Sequence, residues 1–317
     1  MSAAVTALRD RNHAGTPALQ PVPLAVVERL LGCRALRAEA GQTILGATTL
    51  DRPAPSYLAF LDRPVRGLQE ALQTAAAAGL LLIARPSYAT HFPGCLLPVD
   101  HPRAGFAACL HALFPGFGGA TTIALDPSAR IDPSAHLSVG VVVGSDTVIG
   151  AQTVVHPNVF IGPRVRIGRR CVLKSGTVVG QSGFGIHRDA HGAPELMPHV
   201  GGVVIGDEVL LGALNTVAAG TIHPTIVGDQ VKTDDHVHIA HNCVVGPRTL
   251  ITACAELSGS VSIGEDCWIG PNASIRDGMS LGDRAYVGIG SVVVKDVPAD
   301  TLVYGCPARP REGRANP

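Results

Sequence analysis

The sequence predicts a left-handed parallel β-helix of hexapeptide repeats behind a small N-terminal α/β domain, on three observations. A hydrophobic residue recurs at every sixth position through most of residues 125 to 294, a period that belongs to neither an α-helix nor an ordinary strand. Many of these anchors are followed by Gly, as in Ile149-Gly150, Ile161-Gly162 and Ile263-Gly264, and four residues on there is often Ala, Val, Thr or Ser. The stretch ahead of the repeats instead mixes short helical and strand-like patterns.

Residues 1–20 are polar, small and Pro-containing, and read as a flexible leader. Residues 21–118 read as a compact α/β domain. Leu24 to Leu31 spaces its apolar residues as a short helix does, Thr43 to Leu50 and Tyr57 to Leu61 read as strands, and Gly67 to Ala78 reads as a helix. Leu80 to Ile83 is a short buried strand, Ala104 to Leu113 a further helix, and the turn-rich Pro115 to Gly119 closes the domain. No GxGxxG follows the first strand, which excludes the usual dinucleotide fingerprint.

Residues 119–306 carry the repeat, and 307–317 form a tail. The anchors run unbroken from Leu125 to Val179, resume at Ile205, Leu211 and Val217, and run again from Val227 to Val293 with only Thr233 polar. Three hexapeptides make one coil of a triangular prism, each anchor pointing inward and Gly supplying the positive φ of a left-handed corner. Coils stack ~4.8 Å apart. The left-handed crossover breaks a strong general rule, and the length of the sixfold pattern justifies the exception.

Composition narrows the function. Acidic and basic residues balance at 25 each, which argues against bulk attraction to nucleic acid or to a membrane surface. The eight cysteines include no CxxC pair, so neither a zinc knuckle nor a disulfide framework is indicated, and reduced thiols in the cytoplasm are expected. The most apolar stretch, Ala75 to Ala84, is too short to span a bilayer.

Two interruptions break the sixfold phase, and an insertion in a solenoid has to leave the prism as a loop. The longer lies between Val179 and Ile205 and contains Gly183-Phe184-Gly185, His187, His191 and His199; the shorter lies between Val217 and Val227, around His223. Such loops carry function or lock subunits together. Asp234-Asp235-His236-Val237-His238-Ile239-Ala240-His241-Asn242 gathers three of the thirteen histidines on one coil. His241 stands two places after the inward anchor Ile239, near a corner. A neutral imidazole there suits a general base that takes the proton of an attacking amine or hydroxyl, with Asp234, Asp235 or a backbone carbonyl orienting it and backbone N–H groups holding the oxyanion. His238 reads either as support for that base or as an exposed, satisfied side chain. A zinc site of the γ-carbonic-anhydrase type is the competing chemistry. It needs converging ligands, and the positions one and two coils beyond His241 are Gly259 and Asp277. The run Arg164, Arg166, Arg169, Arg170 and Lys174 reads as a patch for an acidic carrier protein or coenzyme A phosphates, or as a solvated face.

At this point the chain resembles the UDP-3-O-acylglucosamine N-acyltransferase family of lipid A synthesis, over nearly everything from Pro21 to Pro310. The resemblance rests on the Thr43-Ile44-Leu45-Gly46 strand, Phe60-x-x-x-Pro64, Gly176-Thr177-Val178-Val179-Gly180 leading into Gly183-Phe184-Gly185, and Ile239-Ala240-His241-Asn242. It implies a homotrimer, a uridine-binding N-terminal domain touching the nucleotide through Phe60 and Arg66, a loop around Phe184 that frames the acceptor, and His241 as base. Asn242 supports that base, and Gly259, Ile289 and Ser291 fall along the acyl path. Four departures stand out: Arg63 and Arg66 replace an Asn and a Tyr, Ala218-Ala219-Gly220 replaces Asp-Arg-Gly, Gly278 replaces a histidine, and the family's C-terminal helices that help dock acyl carrier protein are not expected after Pro310.

The C-terminal third looks like sugar acetyltransferases that use acetyl-coenzyme A, through Asp266-Cys267-Trp268-Ile269-Gly270, Lys295-Asp296-Val297-Pro298 and Tyr304-Gly305-Cys306-Pro307-Ala308-Arg309. That likeness puts Arg309 near a coenzyme. The combined expectation is transfer of an acyl group from acyl-ACP or acyl-CoA, as co-substrate, to the amine of a nucleotide-linked sugar. The alternatives are an acetyl-CoA sugar N- or O-acetyltransferase and a metal-binding or non-catalytic β-helix.

Overall fold

The computed structural model describes residues 6–9, 15–115, 124–189 and 191–310. They fall into two compact units, Met1–Asn12 with Ala120–Gly183 and Gly201–Pro317, and His13–Gly119 with Phe184–Val200.

The second unit is built on a five-stranded sheet, β1 (Thr16–Pro23), β2 (Thr43–Ala47), β3 (Tyr57–Leu61), β4 (Leu81–Ala84) and β5 (Leu96–Pro98), in that spatial order. β1 pairs antiparallel with β2, and the other pairings are parallel. Three helices, α1 (Leu24–Leu31), α2 (Leu68–Ala77) and α3 (Pro102–Leu113), complete it. Successive side chains of a strand point to opposite sides, and the sequence supplies apolar residues for both. Ala59, Leu61, Leu82 and Ala84 pack with Leu72 and Ala75 of α2, while Phe60 stacks on Phe106 of α3 at 4.8 Å on the other side. β1 starts inside the expected leader, because the leader's last residues pair with Thr43–Ala47. The leader is also structured at residues 6–9, a short helical segment from which Leu8 packs on Ile226 and Val244, and Arg9 Nη2 donates to Ser262 Oγ at 2.7 Å.

The first unit is a left-handed parallel β-helix of three faces. Face 1 runs from Arg130–Ile131 to Ser280–Leu281, face 2 from His136–Leu137 to Arg309–Pro310, and face 3 from Val142–Val143 to Val292–Val293, with eight, ten and eight strands. The anchors lie inside the prism, Ile161, Val179, Leu257 and Ile263 among those with no exposed surface. Burying each contributes about 1.5–3 kcal/mol. Thr233, the polar anchor, is buried yet satisfied, accepting from Asn215 Nδ2 at 2.5 Å and from Gly212 N at 3.1 Å. This polar pair inside the prism explains the one break in the pattern.

The glycines differ from expectation in a way that defines the corners. Positive φ falls three residues after most anchors, on Gly140, Gly176, Gly278 and Gly290 as expected but more often on another side chain, such as Asp146, Leu214, Asn242 and Arg248. The Gly just after an anchor is required by space instead: a Cβ on Gly246 would lie 2.4 Å from the backbone of Gly264 in the next coil, and one on Gly264 2.6 Å from Asp283 N.

The longer insertion is no simple loop. Ile186–Arg188 and Pro194–Leu196 form an antiparallel hairpin in which His187 Nε2 lies 3.2 Å from Glu195 Oε2. The hairpin packs on α3 and groups with the α/β unit, although the expectation put it in the β-helix.

Candidate functional site

The three edges of the prism are chemically distinct. Along the edge between faces 1 and 2, Arg169 pairs with Asp207 at 2.8 Å, Arg170 with Glu208, Arg248 with Glu265 and Asp266 at 2.7 Å each, and Arg284 with Asp300 at 2.6 Å. A cavity of about 450 Å³ lies on this edge beside Leu8, and the guanidinium groups that line it, those of Arg169, Arg170 and Arg248, are all ion-paired. The expected basic patch does not exist as one surface. Arg169 and Arg170 belong to this ladder, Arg166 sits on a face 1 strand, Arg164 turns the corner between faces 3 and 1, and Lys174 lies 3.6 Å from Asp235 near the corner after face 2.

The edge between faces 3 and 1 is where the repeat gives way. Both insertions leave from it, after Val179 and after Val217 of face 3, and both return to face 1, at Val203–Ile205 and Thr225–Val227. They are tied together there: Gly220 N donates to Gly202 O and Gly201 N to Gly220 O, each at 2.9 Å. One coil further on, the same corner carries His241. Its ring meets the shorter insertion through Asn242, whose Oδ1 lies 3.1 Å from His241 Nδ1 and accepts from Thr221 N at 3.2 Å and Thr221 Oγ1 at 3.0 Å. Asn242 Nδ2 donates to His223 O at 3.1 Å, and Asn242 N to Thr225 Oγ1 at 2.9 Å. The next coil leaves room for the ring, since a Cβ on Gly259 would stand 2.7 Å from His241 Cε1 and 2.8 Å from Nε2. Gly259 is thus the floor beneath the imidazole.

His238 faces outward from face 3, three residues before His241. Thr216 Oγ1 lies 2.6 Å from its Nδ1, and Glu256 is its register partner in the next coil. Desolvation of the covered part of the ring lowers its pKa; Glu256 pulls the other way and His241 adds to the lowering. The sequence reading missed Thr216, Thr221 and Glu256. Glu256 was findable, being eighteen residues, one coil, beyond His238.

Several expected roles need correction. Asp234 does not orient His241. It stands at the corner before face 3 and accepts from Asp235 N at 2.9 Å, while Asp235 accepts from Ala213 N at 2.7 Å. The strand His238–Ile239 separates that corner from His241, so the two lie at opposite ends of one face. Ile289 and Ser291 also part company. Ile289 is 73% exposed, whereas Ser291 turns into the prism with no exposed surface, at the inner position where Thr249 elsewhere caps a carbonyl of the next coil. Gly278, at positive φ, occupies a corner with open space around its Cβ position. Arg309 is exposed, its Nη1 donating to Ala308 O at 3.1 Å, on a last strand that folds back antiparallel on Leu302–Tyr304. In the other unit Phe60 is half-buried against Phe106, Arg66 is exposed, and Phe184 is 85% exposed. Among the described residues no three His, Cys, Asp or Glu side chains converge to hold a metal ion, and no helix is long and apolar enough to cross a membrane.

The hexapeptide prism points to a class, the hexapeptide-repeat transferases. The family model described as bacterial transferase hexapeptide (six repeats) matches residues 146–181, and the one described as hexapeptide repeat of succinyl-transferase matches residues 260–295. The UDP-3-O-acylglucosamine N-acyltransferase of Herminiimonas arsenicoxydans is 37% identical over 298 residues, covering 86% of this chain and 84% of that protein. The protein of the same name from Caulobacter sp. (strain K31) is 36% identical over 312 residues, 92% of this chain and 90% of that protein. The chain belongs to the UDP-3-O-acylglucosamine N-acyltransferase family. Among solved structures, LpxA from Acinetobacter baumannii aligns at 26% identity and a TM-score of 0.49, over 60% of this chain and 74% of that one.

Proposed function

We propose that this protein moves an acyl group from a thioester to the amino group of a nucleotide-linked, glucosamine-type sugar, with His241 as general base. The observation that carries the reading is the placement of His241: it sits on the one prism edge from which both insertions emerge, and its ring is held between Asn242 and Gly259. Membership of a family whose relatives are named UDP-3-O-acylglucosamine N-acyltransferase supports the acceptor class.

In this reading the sugar amine attacks the thioester carbonyl and gives its proton to His241. The tetrahedral intermediate collapses with rupture of the C–S bond, and the proton passes from the imidazolium to the departing thiolate. Backbone N–H groups stabilise the oxyanion. Desolvation lowers the pKa of His238 and so favours its neutral form beside the base. Phe60, Arg66 and Phe184 serve the acceptor, and Ile289 and Arg309 serve the donor, either acyl carrier protein or coenzyme A. The working form is a homotrimer in which a neighbouring subunit closes the His241 groove.

Thiol release is the test. Purified protein receives acetyl-CoA, longer acyl-CoA and acyl-ACP with UDP- and dTDP-amino sugars, beside His241→Ala. The expected result is release with at least one pair and a loss of about 10²–10⁴-fold in the variant. Release that survives His241→Ala removes the base assignment, and no release from any pair favours a non-catalytic prism.

A further inference from the structure

We propose that Asn242 is a positioning residue: it holds the proton of His241 on Nδ1, so that Nε2 presents its lone pair, and it couples this tautomer to the shorter insertion through Thr221. The proposal rests on His241 being the base.

The hydrogen-bond partners settle which way the Asn242 amide points. The main-chain N–H of Thr221 can only donate, so the atom 3.2 Å from it is the amide oxygen. The main-chain carbonyl of His223 can only accept, so the atom 3.1 Å from it is the amide nitrogen. These two contacts, on opposite sides of the amide, fix its orientation without reference to His241. An amide oxygen carries no hydrogen. Its 3.1 Å contact with His241 Nδ1 is therefore a bond that Nδ1 donates, and in the neutral imidazole the other nitrogen then holds the lone pair. Nε2 is the nitrogen that lies over Gly259, 2.8 Å from the position of an added Cβ. The base atom is thus at the ring edge that a glycine keeps clear.

The same contacts explain why the insertion sits where it does. Asn242 has positive φ, like other corner residues three positions after an anchor, so its backbone follows the prism while its side chain reaches the loop. Thr221 gives both its N–H and its hydroxyl to the oxygen that also receives the His241 proton. A displaced loop would leave that oxygen with one donor and free the amide to rotate. With the nitrogen turned toward the ring, Nδ1 becomes the acceptor and the lone pair moves off Nε2.

Two readouts decide it. In protein labelled with ¹⁵N-histidine, the neutral ring whose signals disappear in His241→Ala is expected to show a protonated Nδ1 and an unprotonated Nε2. The reverse pattern overturns the proposal. This measurement needs no turnover, so it is independent of whether His241 is the base, which loss or survival of thiol release in His241→Ala decides. In kinetics, Asn242→Ala is expected to lower kcat about 10- to 10³-fold with KM little changed. Asn242→Asp, placing a carboxylate beside Nδ1, is expected to raise the acidic limb of the kcat/KM profile by about one unit. Thr221→Val, which keeps the backbone donor, should give a smaller loss and shift part of the His241 signal to the other tautomer. An unmoved acidic limb in Asn242→Asp, with an unmoved ring pattern in Asn242→Ala, overturns the positioning role even if both variants lose activity through misfolding.

Discussion

The edge between faces 1 and 2 and the edge between faces 3 and 1 are made by the same six-residue repeat, and they do opposite things with it. The first keeps phase through the whole prism. It places Gly after nearly every anchor because the next coil's backbone leaves no room for a Cβ, and it clips coil to coil with the Arg169–Asp207, Arg248–Asp266 and Arg284–Asp300 pairs. The second loses phase at both insertions and again between Val293 and Val297, and carries Ala240-His241-Asn242 and Ser258-Gly259 where the other edge has Gly and a charge. A repeat that solves stability on one edge leaves the other free to diverge, and the proposed chemistry lies where the repeat is broken.

Paired glycine substitutions test that separation most severely. Gly259→Ala pushes a methyl against the imidazole tip, a mobile group, and is expected to cost about 10- to 100-fold in kcat as the ring loses Asn242, with an unchanged melting temperature. Gly246→Ala meets the backbone of Gly264 at 2.4 Å, which cannot yield without moving a coil. It is expected to destabilise by about 1–3 kcal/mol in denaturant titration, with the folded fraction fully active. Equal effects of the two variants on stability would erase the contrast between the edges.

A smaller effect comes from acid. Glu208, Asp266 and Asp300 have lowered pKa values, through hydrogen bonds from Gln230 and Arg170, from Arg248 and from Arg284 respectively. Each binds its proton less readily when folded, so its contribution is present above the unfolded value, about 4, and is lost as pH falls through the lower folded value. The melting temperature should fall on acidification below about pH 4, and less so in Arg248→Ala, which removes one rung. Smallest is Arg248→Ala itself at neutral pH, where exposed ion pairs are worth under about 1 kcal/mol. A loss well above that in urea titration would mean the ladder acts as one network.

Much of this was legible before any coordinates. Periodicity alone gave the anchors, their inward direction and the points where insertions must leave, because one inward residue per flat face is a local rule. It singled out His241 and the insertion around His223. It named Asn242 as support for His241 but offered Asp234 and Asp235 beside it, because sequence distance hides which corner a residue turns: Asp234 precedes face 3 and His241 follows it, whereas Thr221, twenty residues away, sits one coil back on the same edge. It grouped five basic residues that the prism distributes over separate edges and a face, and it set Ile289 beside Ser291 although one points out and the other in. The leader failed for a different reason, since pairing with Thr43–Ala47 is a non-local gain that no window of the first twenty residues displays.

The amino-acid sequence by itself determined the prism, the α/β unit and the histidine coil, since burial of an apolar residue every sixth position admits one economical winding of the chain. Only the tertiary structure decided that both insertions and His241 share an edge, that Gly259 clears the ring, and that Asn242 faces Nδ1 with its oxygen. Those facts depend on stacking between coils, where residues eighteen or more apart become neighbours and a hydrogen bond has to choose its donor.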